Sequence, residues 1–273
     1  MEKQDFPFIQ NQSSHPTYGK VAELLLPSRN TVTIREQTGN DDDVISSQGD
    51  SGDMSGPLNK FVASLIIKHS YDFPKNENTI TANEVLNIPL RDKYFILMAS
   101  RIFSISPTIK FTWDWRDARQ PVHYEEDLVQ YLPDFSQENL PEPGDPDYFK
   151  YRVEPYTSQE AFRELTLGSG KNVRYKWLDG HGENYMLNLT DGQRSINTPL
   201  KARFIELKLE DGNWVKITDF GSFKPIEMSE IRADIEKWDK SFDGLTDIQN
   251  PYTKEVISIP LLSIPDFFFP RQI

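Results

Sequence analysis

Apolar positions in this chain recur at two periods, and the switches between them outline its elements. Val21 to Leu26 is an apolar run halted by Pro27-Ser28, and Thr31 to Glu36 then alternates β-branched and polar residues, as a half-buried strand does. A hairpin or small sheet is predicted there. From Pro57 the period lengthens, with Leu58, Phe61, Val62, Leu65 and Ile66 at i, i+3, i+4, i+7 and i+8 on one face of a helix that His69 closes. A second helix is predicted from Pro89 to about Ser104, with Leu90, Phe95, Leu97, Met98, Arg101 and Ile102 placed for burial on more than one side. Ser106-Pro107 ends it. Thr108 to Trp115 returns to alternation, with Ile109, Phe111, Trp113 and Trp115 on one face. Such a stripe is ordinarily the inward face of a strand, although a Trp-x-Trp ladder also suits stacking on sugars.

After Pro121, Glu125 to Val129 reads as a single helical turn, and residues 133–150, with Pro133, Pro141, Pro143 and Pro146 among acids, read as a linker. From Tyr151 the pattern is mostly β. Val173–Leu178 and Glu183–Leu189 flank Asp179-Gly180-His181-Gly182, while Phe204–Leu209 and Trp214–Ile217 flank Glu210-Asp211-Gly212-Asn213, which predicts two hairpins. A helix follows Pro225, with Ile226, Ile231, Ile235 and Trp238 as its stripe and Gly244 just beyond its end. The chain then reaches Phe267-Phe268-Phe269 between Pro265 and Pro270. Burying one such ring is worth about 1.5–3 kcal/mol, so this end must dock, either on its own core or on a partner. Core docking is expected, because the prolines set the segment's path.

These elements predict an α+β fold: a flexible arm over 1–20, an N-terminal part over 21–132 with a small sheet and two helices, the 133–150 linker, and a part over 151–273. That last part holds antiparallel β hairpins, one helix and a docked Phe-rich tail. A net charge of −12, from 42 acids against 30 bases, argues against a nucleic-acid partner. No basic, apolar leader and no span of roughly 20 apolar residues is present, which points to a soluble intracellular product without a membrane partner. The chain has no cysteine, so disulfides, thiolate chemistry and Cys-ligated zinc are excluded, and neither a cofactor nor a metal is expected. Gly39 to Gly56, rich in Asp, Ser and Gly, reads as a solvated loop whose spacing fits no EF-hand. His15, His69, His123 and His181 lack helical metal spacing, and no phosphate loop, dinucleotide fingerprint or nucleophile elbow occurs. Asp179, His181 and Glu183 can be drawn as an acid–base group, but hairpin-turn geometry explains the flanking glycines.

The stretch Leu26-Pro27-Ser28-Arg29-Asn30-Thr31-Val32-Thr33-Ile34-Arg35-Glu36-Gln37-Thr38-Gly39, followed by Asp41-Asp42-Asp43-Val44-Ile45-Ser46, resembles the start of baseplate hub subunit and tail-assembly chaperone proteins of T-even-type tailed phages. Those proteins open on a Leu-Pro-Ser turn, a strand, and a Thr-Gly plus acidic segment. Further on, Ile231 to Ile235, Asp243-Gly244-Leu245, Asn250 to Val256 and Phe267-Phe268-Phe269-Pro270 keep the family's order, so that the likeness touches roughly 26–46, 86–115 and 200–270. Many relatives carry a Cys-x-x-Cys knuckle before the terminal Phe segment; Asn250 and Thr253 stand at those positions here, and any metal role lapses with them. The resemblance implies a non-enzymatic tail protein, a baseplate hub component or a hub assembly factor. It would act in the host cytoplasm during assembly, or in the virion's tail baseplate, through contacts with other phage tail or baseplate proteins. Its aromatic anchors would be Phe267, Phe268, Phe269 with Pro270, Trp113 and Trp115, because a few aromatics dominate such interfaces. The competing reading is a glycan-binding module or enzyme with its site near Trp177, Asp179, His181 and Trp214.

Overall fold

The computed structural model describes residues 9–28, 30–46, 55–73, 79–116, 120–132, 162–239 and 244–269, and within them the fold is α+β. Strands β1 (Ile9–His15), β2 (Gly19–Leu25), β3 (Thr31–Arg35) and β4 (Ile66–His69) form an antiparallel sheet in that order. The register sets Ala22 opposite Ile34 and Leu24 opposite Val32, which turns the alternate apolar residues of both strands to one face. All four side chains are buried.

Two expectations for the N-terminal part are corrected. Residues 9–20 are no loose arm, since β1 pairs with β2 from His15↔Gly19 back to Ile9↔Leu24. The strand escapes the apolar pattern because it is the sheet's edge and the side chains of Asn11 to Ser14 are exposed, while Gly19 supplies the left-handed turn conformation at φ +71. Residues 1–8 lie outside the described residues. The acidic Gly39–Gly56 stretch likewise divides into helix α1 (Gly39–Ser46) and the start of helix α2 (Ser55–Leu65), with 47–54 outside the description. Asp41 and Asp42 sit in the first turn of α1, where a carboxylate faces the positive end of the helix dipole. Helix α2 stops at Leu65 instead of running to His69, because the β-branched Ile66-Ile67 pair enters β4 and bonds to β3.

A single helical turn, α3 (Ala82–Val85), is closed by a capping box between Thr81 and Glu84 and leads into α4 (Leu90–Ser104). Strand β5 (Thr108–Trp113) pairs with β6 (Val122–Asp127), so the helical turn expected at 125–129 begins only at Leu128. Near the C-terminus, β11 (Leu245–Gln249) and β12 (Val256–Pro260) form a second hairpin, followed by the short helix α8 (Pro265–Phe268). Ile248, Ile259, Leu261, Ile264 and Phe267 join the same core as Leu24, Ile34, Phe61, Phe95, Met98 and Phe111. The division at 133–150 is therefore corrected in part: the last elements of the chain complete its N-terminal core, and the linker itself lies outside the described residues.

Between these halves the chain builds a second, smaller core. Strands β7 (Phe162–Thr166), β8 (Asn172–Lys176), β9 (Glu206–Lys208) and β10 (Trp214–Lys216) form an antiparallel sheet in the order β10-β9-β8-β7. The 207/215 hairpin matches the sequence expectation. The other does not, because β8 pairs backwards with β7, and Asp179 to Gly182 opens helix α5 (Gly180–Leu187) instead of turning. Helix α6 (Thr198–Lys201) and helix α7 (Pro225–Trp238) complete this unit. Met228, Ile231 and Ile235 of α7 pack on Val173 and Tyr175 of the sheet, whereas Ile226, placed on the stripe from sequence, is exposed.

Candidate functional site

Helix α4 organises the molecule, and its buried polar side chains reach segments spread along the whole described chain. Desolvating such groups costs free energy unless each finds a partner, so their contacts identify what the helix holds. Asp92 accepts hydrogen bonds from the Ser28 amide at 3.0 Å, the Ser28 hydroxyl at 2.5 Å and the Tyr71 hydroxyl at 2.8 Å. Burial raises its pKa, against the opposing influence of Arg91 and these donors. This anchors the Leu-Pro-Ser turn to the helix. Ser100 accepts from Gln37 at 2.7 Å, just beyond β3, and Lys93 donates to Glu183 of α5 at 2.6 Å. Arg101 donates to the Phe267 carbonyl at 2.8 Å and the Ser106 carbonyl at 3.0 Å, with its pKa lowered to about 10 by burial.

Arg101 thus clamps the Phe-rich tail. Of the six aromatic and proline positions proposed as partner anchors, two are corrected: Phe267 is 1% exposed and Trp115 7% exposed, both inside the first core. The Trp115 indole donates to Tyr124, whose hydroxyl donates to the Gln249 carbonyl, so this ring joins the β5–β6 and β11–β12 hairpins. Phe268 is half-buried and meets Phe61 edge-on at 6.1 Å, and Trp113 is half-buried against the same core. Phe269, 38% exposed, is the one ring of the three that faces outward, and Pro270 lies outside the described residues. At the knuckle positions, the buried Asn250 side chain accepts from the amides of Tyr252 at 2.9 Å and Thr253 at 3.3 Å. Hydrogen bonds close this turn.

The competing site falls on the seam between the two cores. Leu90 donates its amide to the Leu178 carbonyl at 2.7 Å, and Gly180 donates to the Leu86 carbonyl at 3.0 Å. The backbones meet so closely that a Cβ on Gly180 would stand 2.8 Å from Leu86 Cα, and one on Gly182 would stand 2.6 Å from the Ala202 carbonyl oxygen. Close packing, and not a hairpin turn, therefore requires these glycines. Asp179 caps α5 by accepting from the Gly182 amide at 3.0 Å, and lies 3.5 Å from the Lys176 ammonium. Burial raises the Asp179 carboxyl and lowers the Lys176 ammonium. His181 Nε2 lies 3.1 Å from the Asn87 side-chain oxygen, Glu183 is held by Lys93 and by Tyr94 at 2.9 Å, and Trp177 is buried with Arg91 over its ring at 4.0 Å. A further buried pair, Arg203 and Asp239 at 3.1 Å, adds the Leu178 amide at 2.8 Å. Trp214 is distant in role as well, with Arg174 at 4.5 Å and Lys208 at 5.5 Å from its ring.

Sequence reasoning missed the seam residues Lys93, Arg203 and Asp239. The available signal was a helix apolar on more than one side that nevertheless carries Asp92, Lys93 and Arg101, which obliges each charge to have a partner. Among the described residues, no group of three or more His, Asp or Glu side chains is placed to hold a metal ion, and no helix is long and apolar enough to cross a membrane. No protein-family model matches the chain, and neither a curated protein nor a solved structure matches it significantly.

Proposed function

We propose that this chain is a non-enzymatic phage tail protein, a baseplate hub component or an assembly factor for the hub, working through contacts with other tail or baseplate proteins. One observation carries the reading. The Leu-Pro-Ser turn, the α4 segment and the C-terminal hairpin with its Phe residues, which hold much of the sequence resemblance, converge on one core and are tied to α4 by Asp92 and Arg101. Residues far apart in sequence that share one packed body are what a common fold behind the resemblance requires. The 200–239 part of the resemblance belongs to the second core.

The non-enzymatic half of the reading draws support from the seam, where Asp179 is occupied in capping and ion pairing and Glu183 in binding Lys93 and Tyr94. A general acid or base needs access to a substrate proton, and these groups are turned to one another. The glycan reading draws no support from the tryptophans it named, since Trp177 is buried and Trp214 lies beneath cations.

The test is to purify the tagged full chain from phage-infected cells that express it, and to analyse purified particles by mass spectrometry. Tail or baseplate proteins should accompany the chain from cells, and its presence in particles separates a built-in component from a factor that leaves. A chain that comes away with no tail protein and is missing from particles would overturn the reading.

A further inference from the structure

The second core carries a surface hollow of about 460 Å³ between residues 196–201, the 219–223 turn and the first turns of α7. That volume lies within the roughly 300–1,000 Å³ of ordinary ligand pockets. Its floor is apolar and preformed: Phe220, Phe223 and Met228 line it, and all three are buried members of the second core. Phe220 and Phe223 hold each other edge to face at 5.9 Å. At the rim stands Ile196, which at 83% is the most exposed large apolar side chain among the described residues.

Two cations, Lys201 and Arg232, line the same hollow. Several cations elsewhere in this half are matched with acids, in Arg163–Asp234, Lys171–Glu227, Arg174–Glu206 and Arg203–Asp239, while Lys208 and Lys216 lie over aromatic rings. Lys201 and Arg232 form no such pair among the described residues; the Arg232 guanidinium donates to the neutral Asn197 side chain at 2.9 Å, which steadies it without balancing its charge. The acid across the hollow, Asp219, turns one oxygen to the Gly221 amide at 3.0 Å. In a chain of net charge −12, this reverses the local sign beside an exposed apolar surface.

We infer that this hollow binds a short segment of a partner protein in which a large apolar residue stands beside a carboxylate. The apolar side chain covers Ile196 and enters over Phe220, Phe223 and Met228, and the carboxylate meets Arg232 and Lys201. The inference rests on the assembly reading only in taking the occupant to be a protein.

The probe is the peptide acetyl-Ser-Asp-Leu-Phe-Asp-Ser-amide, titrated into the full chain carrying labelled isoleucine and methionine methyl groups and followed by NMR. Saturable shifts of the Ile196 and Met228 methyl signals are expected, with binding about fivefold weaker for the same peptide bearing Asn in place of both Asp residues, because exposed charge pairs contribute modestly. The double variant Lys201→Met/Arg232→Met, at a half-buried and an exposed position of the lining, should keep the melting temperature and lose the preference for the acidic peptide. Unmoved Ile196 and Met228 signals, or equal binding of both peptides by the unaltered chain, would overturn the site. Either failure leaves the assembly reading standing, since that reading depends on the proteins recovered from infected cells. A failed recovery with a positive titration would do the reverse.

Discussion

The interior of the first core and the seam between the two cores are both buried, yet they are specified in different ways. Around α4, the side chains of Leu24, Ile34, Phe61, Leu65, Met98 and Phe267 meet through apolar surface, an attraction that is proportional to area and has no direction, while Asp92 and Arg101 tie the flanking turn and tail to the helix. Across the seam, Lys93 faces Glu183 and Gly180 admits the Leu86 backbone, and beside it within the second unit Arg203 faces Asp239 and Gly182 admits the Ala202 backbone. A core of the first kind accepts any side chain of about the right volume. The second kind accepts one partner for each charge and one residue type at each close approach, so it sets how the two cores fit together and not merely that they touch.

That contrast can be broken most sharply at the ion pair. Glu183→Ala should lower stability by about 3–5 kcal/mol in urea unfolding, because it leaves the Lys93 ammonium buried without its acceptor. The double variant Lys93→Met/Glu183→Leu should regain most of that loss, since an apolar pair removes both charges together. A double variant as unstable as the single one would mean that the seam needs the charge itself.

In the first core, Phe267→Ala should be destabilising by about 3 kcal/mol, the lower end for truncating a buried Phe. Phe269→Ala, at the outward ring, should leave the unfolding midpoint nearly unchanged and should act, if anywhere, on recovery of tail proteins. Equal losses at both rings would show that the tail is docked differently.

Gly180→Ala tests the close approach with a smaller change. The added methyl meets the Leu86 backbone, which cannot swing aside as a long side chain can, and a loss of about 1–3 kcal/mol is expected. Gly192→Ala, where an added Cβ meets nothing within 4 Å, is the control and should be close to neutral.

The smallest effect concerns pH and the second core. Hydrogen bonds from Ser169, the Lys224 amide and Lys171 hold the Glu227 carboxyl down from 4.5 to about 2. A depressed carboxyl contributes stability that is present above its unfolded value and is lost as pH falls through the folded one, so this contribution should fade between about pH 4.5 and about pH 2. Asp239 at the seam runs the other way: burial raises its carboxyl, and protonation as the pH falls towards the ordinary range relieves it. Melting temperature followed by circular dichroism should therefore decline less steeply in acid for Glu227→Gln than for the unaltered chain. An unchanged acid slope would remove Glu227 as the source.

The elements legible from sequence are those in which burial follows a period. Val21 to Leu26, Thr31 to Arg35, the α4 stretch, the alternating face of β5, the 207/215 hairpin and the Pro225 helix all announced themselves through apolar spacing. The elements that were misread are those in which hydrogen bonds decide. Strand β1 exposes its polar side chains on a sheet edge, and α1 is an acidic helix whose Asp41 is bound by Arg35 at 2.6 and 2.8 Å. Asp179-Gly180-His181-Gly182 has the composition of a turn, and only the approach of Leu86 and Ala202 shows why glycine is needed there.

Composition and local periodicity are enough for the α+β class, the lack of thiol chemistry and the docking of the Phe-rich end. It takes the closed fold to show that the last elements complete the N-terminal core, that Phe267 turns inward while Phe269 turns out, and that Lys93 meets Glu183 across the seam. The physical reason is separation along the chain. Phe267 and Arg101, or Lys93 and Glu183, share no local period, and their pairing exists only once the backbone has closed the distance between them.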